Sequence, residues 1–211
     1  DFIAAMLLEV LKYSKGVQLW GRSFDLKSAY KQLSIAKSSL PCAFVAVYNP
    51  TSGKAELYQL LAAPFGATRS VYSFLRISNA IWYIGVKALS IIWSCFFDDY
   101  VSFCREEHVN NTRMTVCLLF KLLGWKFAEE GDKAEDFAKE FGALGIRIML
   151  GDSADGVVKF TNTEKRATEL ISTIHALLDK GSMTLVESQR LRGRMQFMDG
   201  QLFGRLGKLC M

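Results

Sequence analysis

The chain has 211 residues, half of them hydrophobic and only three of them proline. That composition supports a sizeable core and excludes a disordered or collagen-like polymer. The net charge of +5 permits a polyanionic partner without demanding one. Apolar residues at helical spacing predict a helix over 2–11. Residues 12–22 are polar with two glycines and read as a loop, followed by a short strand over 23–26 and a tight helical start through Tyr30. Residues 43–48 are aromatic and β-branched, hence a strand. Asn49-Pro50-Thr51-Ser52-Gly53 is a turn, and 56–61 pairs back as the second strand of a hairpin. Ala63-Pro64-Phe65-Gly66 interrupts regular structure.

From 68 to 85 the pattern is helical, with Val71, Phe74, Leu75, Ile77 and Ile81 sharing one broad face. Residues 91–97 form a buried strand, Asp98-Asp99 a turn, and 100–104 the returning strand. A helix over 111–123 stops at Gly124. A strand region over 141–150, a turn over 151–156 and a partner strand over 157–160 follow. Thr161-Asn162-Thr163-Glu164 and Thr184-Leu185-Val186-Glu187 both have capping-box spacing, and each opens a helical pattern. The fold class is therefore α+β, with a helical segment appended near Thr161.

Five cysteines, an odd number without C-x-x-C spacing, read as reduced core thiols of an intracellular protein. His108 and His175 lack metal-ligand spacing and read as bystanders. The chain opens on Asp1-Phe2-Ile3, shows no signal peptide, and reads as a piece of something longer or of an incomplete gene. Bases gather towards both ends: Lys12, Lys15, Arg22, Lys27, Lys31 and Lys37 surround Asp25, and Arg190, Arg192, Arg194, Arg205 and Lys208 face only Asp199. Such groups suit a surface that cradles phosphates, or equally two solvated helix faces.

The chemistry concentrates in the acids. Phe96-Phe97-Asp98-Asp99 ends an apolar run with two adjacent carboxylates, and Asp25 closes the short stretch Ser23-Phe24-Asp25-Leu26. A carboxylate at the end of a buried segment must be paired, hydrogen-bonded or metal-bound. A strand-end acid facing a hairpin turn with two more is the donor set that two-metal phosphoryl transfer uses, with ions about 3.5–4 Å apart. Mg²⁺ takes few protein carboxylates and completes its shell with substrate phosphates.

Phe24-Asp25-Leu26-Lys27-Ser28-Ala29-Tyr30 resembles the A motif of reverse transcriptases, Ala63-Pro64-Phe65-Gly66 their B motif, and Phe96-Phe97-Asp98-Asp99 their C motif. Leu123-Gly124-Trp125 with Lys133 is similar to the D region, and Phe141-Gly142-Ala143-Leu144-Gly145 to the E hairpin. The resemblance covers nearly the whole chain and points to retroelement polymerases of the long-terminal-repeat or tyrosine-recombinase kind. It implies a polymerase palm, an antiparallel sheet with helices on one face, with a partial fingers hairpin over about 43–62 inside 1–160, and a thumb start over 161–211.

The same resemblance implies roles. Asp25, Asp98 and Asp99 would hold two Mg²⁺ (Mn²⁺ as an alternative), with the Leu26 carbonyl as a further oxygen. Tyr30 would be the steric gate against a ribose 2′-OH. Phe65, Gly66 and Phe97 would line the nucleotide, template and primer side. Lys133 would protonate the leaving pyrophosphate. Arg190, Arg192, Arg194 and Arg205 would track the backbone of an RNA or DNA template–primer, with dNTPs as substrates. The chain departs from the family at Phe96, Phe97, Arg69-Ser70-Val71 and Tyr100, which is bulkier than the expected small aliphatic residue. Few residues precede Asp25, so the basic grip on the triphosphate is expected to be missing, as is a ribonuclease H segment after Met211.

Three other readings stand beside this one. The first is a catalytically inactive palm relic that binds nucleic acid. The second is an RNA-directed RNA polymerase, against which Tyr30 and the lack of glycine before the paired acids both argue. The third is a membrane span over 77–97, which would bury Lys87 near mid-bilayer at a cost of ~2.5–3.5 kcal/mol. The expectation is no membrane partner.

Overall fold

The computed structural model describes residues 2–129 and 135–203. Among the described residues the α-helices are α1 (Phe2–Tyr13), α2 (Thr68–Leu89), α3 (Val109–Leu122), α4 (Glu164–Lys180) and α5 (Leu185–Phe203). The strands are β1 (Leu19–Asp25), β2 (Phe44–Asn49), β3 (Lys54–Gln59), β4 (Ile92–Phe96), β5 (Asp99–Arg105), β6 (Glu140–Ala143), β7 (Ile146–Met149) and β8 (Lys159–Asn162). They form three sheets, ordered β1-β5-β4, β2-β3 and β6-β7-β8. The pairings β2–β3, β6–β7 and β7–β8 are antiparallel. The chain is α+β, as its patterning predicts.

Two compact units emerge. The first comprises Asp1–Ser23, Val101–Asn110 and Glu135–Met211. Its core joins Leu7 and Leu11 of α1, Leu19 of β1, Val101 and Phe103 of β5, and Phe141, Ile148 and Leu150. The predicted loop over 12–22 is a strand from Leu19 onward. Its signal is masked by Gly21, where a Cβ would stand 2.3 Å from Cε1 of Phe141. The glycine is there to admit an aromatic ring, not to make a turn. Within the same strand Arg22 is buried, with Asp136 3.9 Å away. It therefore does not belong to a solvated phosphate-binding face, as its charge suggested. The predicted strand over 141–150 is a hairpin, β6 and β7, turning at Leu144 and Gly145, both at positive φ.

The second unit comprises Phe24–Tyr100 and Asn111–Ala134. Its core is aromatic. Phe120 meets Phe24, Trp93, Tyr100 and Phe127 at ring separations of 5.3–6.3 Å. Such edge and tilted contacts add to the burial of large apolar area. Helix α2 runs past the expected stop at Gly85 to Leu89, where Ser90 takes the left-handed cap conformation. The apolar run over 77–97 is thus divided between a helix and a strand. Among the described residues no helix is long and apolar enough to cross a membrane. The β2–β3 hairpin exposes Phe44, Tyr48, Leu57 and Tyr58.

Among the described cysteines no disulfide forms. Cys104 is buried as expected, but Cys42 is exposed.

Candidate active site

The second unit brings the Asp25 and Asp98-Asp99 segments together through the backbone. Asp25 is the last residue of β1, Asp99 the first of β5, and Asp98 lies in the two-residue turn between β4 and β5. The Leu26 N–H donates to the Asp98 carbonyl at 3.0 Å. Standard bond lengths then hold the Cα atoms of Asp25 and Asp98 within about 8 Å of each other. All three aspartates are half-buried.

The segment after α3 completes this edge. Lys27 N–H donates to the Lys126 carbonyl, and Ala128 N–H to the Asp25 carbonyl, both at 2.9 Å. The Leu26 carbonyl, an expected metal ligand, receives only a long 3.4 Å bond from Ala29 N–H. Gln32, which carries no sequence signal, closes the segment. Its amide nitrogen donates to the carbonyls of Lys27 and Lys126, and its oxygen accepts from Lys126 N–H, each at 2.7 Å.

The turn itself is strained. Phe97, its first residue, has φ 54°, where hairpin turns prefer glycine. A non-glycine residue in that region costs about 1–3 kcal/mol and persists only where its surroundings hold it. Beneath it lies a buried polar cluster. The Ser78 hydroxyl of α2 donates to the Phe97 carbonyl and contacts Cys95 Sγ at 2.9 Å and the Tyr100 hydroxyl at 2.8 Å. The Tyr100 hydroxyl also donates to the Ser78 carbonyl at 3.0 Å. Burial pushes the Tyr100 phenol well above the usual tyrosine range, with the neighbouring Cys95 adding to the rise, so it stays a hydrogen-bond donor. Burial likewise raises the Cys95 thiol, partly offset by bonds to Ser78 and Tyr100, with the nearby Asp98 and Asp99 charges raising it further.

Tyr30, Phe65 and Gly66 also come together in part. The Tyr30 ring meets Phe65 edge-on at 4.9 Å and the fully buried Phe74 at 4.8 Å. Phe65 is exposed. Gly66 has φ 87°, which favours glycine, and a Cβ there would meet open space. Phe97 is half-buried against the exposed Phe96, their rings 5.0 Å apart.

The basic residues divide. Arg190, Arg192 and Arg194 are exposed on α5 in the first unit. Arg194 donates to Thr173 Oγ1 of α4 at 3.0 Å, and Arg190 and Arg194 line a cleft with Arg166 and Phe197. Lys133 and Arg205 lie outside the described residues. His108 and His175 are exposed.

Among the described residues no three Asp, Glu, His or Cys side chains gather closely enough to hold a metal ion by themselves. Asp25 and Asp98 are half-buried acids on neighbouring backbone segments, and Mg²⁺ takes few protein carboxylates, filling its shell with phosphate oxygens and water.

Sequence comparison with protein-family models and with curated proteins finds no match. Comparison with solved structures does. The fold is reverse-transcriptase-like. The chain superposes on a foamy viral protease-reverse transcriptase in complex with an RNA/DNA hybrid at a TM-score of 0.59 and 16% identity, covering 84% of this chain and 21% of that one. For two further foamy viral protease-reverse transcriptase structures in complex with double-stranded DNA, one of them a dRH form, the TM-scores are 0.59 and 0.58 at 16% identity. These cover 90% and 84% of this chain and 29% and 32% of those. The chain thus spans between about a fifth and a third of the length of the proteins it matches.

Proposed function

We propose that this chain is the palm of a retroelement RNA-directed DNA polymerase, which joins a dNTP to a primer 3′-OH on an RNA or DNA template. In this reading 1–160 is palm with a partial fingers hairpin and 161–211 begins the thumb. The observation that carries it is the Leu26 N–H bond to the Asp98 carbonyl, which makes neighbours of the backbone segments that bear Asp25 and Asp98. The fold likeness to a reverse transcriptase bound to nucleic acid supports it independently.

Asp25 and Asp98, with Asp99 less direct, would hold Mg²⁺ or Mn²⁺. The bound ions would supply charge stabilisation for in-line displacement at the α-phosphate. Tyr30, braced by Phe74, would stand against a ribose 2′-OH, and the exposed Phe65 would flank the same nucleotide. Phe97 would border the primer end. Lys133 would serve as general acid to the pyrophosphate, and Arg190, Arg192, Arg194 and Arg205 would contact phosphates without reading bases.

The test is primer extension on a poly-A template with Mg²⁺ or Mn²⁺, comparing the wild type with Asp98→Ala. Incorporation that falls at least a thousandfold in the variant supports the enzyme. A wild type that shifts the template–primer in a gel yet incorporates nothing supports the second reading, an inactive palm. That reading draws on the departures from the family pattern at Phe96, Phe97 and Tyr100.

A further inference from the structure

The departures from the family pattern at Tyr100 and in the strained turn share one physical origin. Tyr100 is fully buried, and its hydroxyl meets both the side chain and the carbonyl of Ser78. Ser78, itself 1% exposed, sits mid-way along α2 and donates to the Phe97 carbonyl. Cys95 Sγ approaches the same hydroxyl from β4. One arrangement satisfies every proton: Ser78 O–H to Phe97 O, Cys95 S–H to Ser78 Oγ, and the Tyr100 O–H shared between Ser78 Oγ and the Ser78 carbonyl. A buried network with its groups satisfied is rigid, and it orders what it touches. Here it touches the peptide that joins Phe97 to Asp98. The next carbonyl along, that of Asp98, is held by Leu26 N–H. Two successive carbonyls of the turn are therefore gripped, one from α2 and one from the end of β1.

We infer that Ser78 and Tyr100 are positioning residues: their buried hydroxyl pair holds the Phe97-Asp98 turn in its left-handed conformation and so sets Asp98 against Leu26. The consequence for catalysis rests on the polymerase reading; the clamp itself does not. A small aliphatic residue at position 100 could not bond Ser78, and without that bond α2 would lose its tie to β5 at this point.

Hydrogen exchange of single amides tests the clamp without any assay of activity. The Leu26 amide reports the grip on Asp98, and the amides of β7 serve as reference. Ser78→Ala and Tyr100→Phe each remove only a hydroxyl. Both should speed Leu26 exchange tenfold or more while β7 exchanges as in the wild type. Combined, they should add little to either alone, as expected for residues acting as one unit. Unchanged Leu26 exchange overturns the inference, as does an equal rise in every amide of the second unit.

Primer extension is the second arm. If the wild type extends, either variant should lower kcat at least tenfold with KM for dNTP within about twofold. A change confined to KM counts against positioning. If the wild type does not extend, the polymerase reading fails and the exchange result still decides the clamp.

Discussion

Gly85 shows how a single atom constrains this fold. An alanine there would improve helix propensity by roughly 1 kcal/mol. Yet its Cβ would stand 2.1 Å from Cζ2 of Trp93. That indole cannot easily move away. Trp93 Nε1 donates to the Trp82 carbonyl at 3.1 Å, and Trp82 Nε1 donates to the Trp93 carbonyl at 3.0 Å. Overpacking at such a site costs about 1–3 kcal/mol or more, so Gly85→Ala should lower the urea midpoint despite the better helix former. A raised midpoint would mean that the ring swings aside at little cost. Residue spacing alone marks Gly85 as a helix end; the packed indole shows why the helix passes through it.

At the scale of elements, two sequences with the same capping signature behave differently. Thr184 and Glu187 close a reciprocal box at the start of α5: Thr184 N–H donates to Glu187 Oε2 at 2.8 Å, and Glu187 N–H to Thr184 Oγ1 at 3.3 Å. Thr161 and Glu164 do not, because Thr161 is paired with Arg147 in β8 and the cap position falls to Thr163, whose side chain makes no capping bond. Strand pairing has taken the residue that the local pattern assigned to the cap. The working box has a titration signature. The Thr184 N–H, the Lys180 ammonium and the Thr184 hydroxyl hold the Glu187 carboxyl down to about 2 from its ordinary 4.5. A depressed carboxylate stabilises fully above its unfolded value and loses that contribution as pH falls towards the folded one. The start of α5 should therefore loosen between pH 4.5 and about 2, and Glu187→Gln should abolish that dependence. Carbon-detected NMR of the Glu187 carboxyl checks the midpoint; a value near 4 would count against the box.

Across the whole molecule, the question is whether the exposed arginines meet a polyanion. Each phosphate neutralised on a duplex contributes about −0.9 to the slope of log affinity against log salt. Arg190→Ala with Arg192→Ala should flatten that slope by roughly 0.9 per residue and weaken all sequences alike, as read by fluorescence anisotropy on an RNA/DNA hybrid. Arg194 should contribute less, because Thr173 already accepts one of its protons. An unchanged slope would return these residues to an ordinary solvated helix face.

The amino-acid pattern by itself determined the α+β class, the break at Pro64, the two C-terminal helices and a hairpin at the paired acids, whose turn falls one residue earlier than expected, at Phe97-Asp98, because Asp99 already opens β5. Each is written in local periodicity, turn residues and caps, which act over a few residues of chain. Only the tertiary structure decided that Leu26 grips Asp98, that Gln32 staples Lys27 to Lys126, that Ser78 and Tyr100 underlie the turn, and that Gly21 lies in a strand. Those outcomes depend on which strands become neighbours, β5 taking its place between β1 and β4. Hydrophobic alternation says which face of a strand is buried, but not which distant strand will lie beside it.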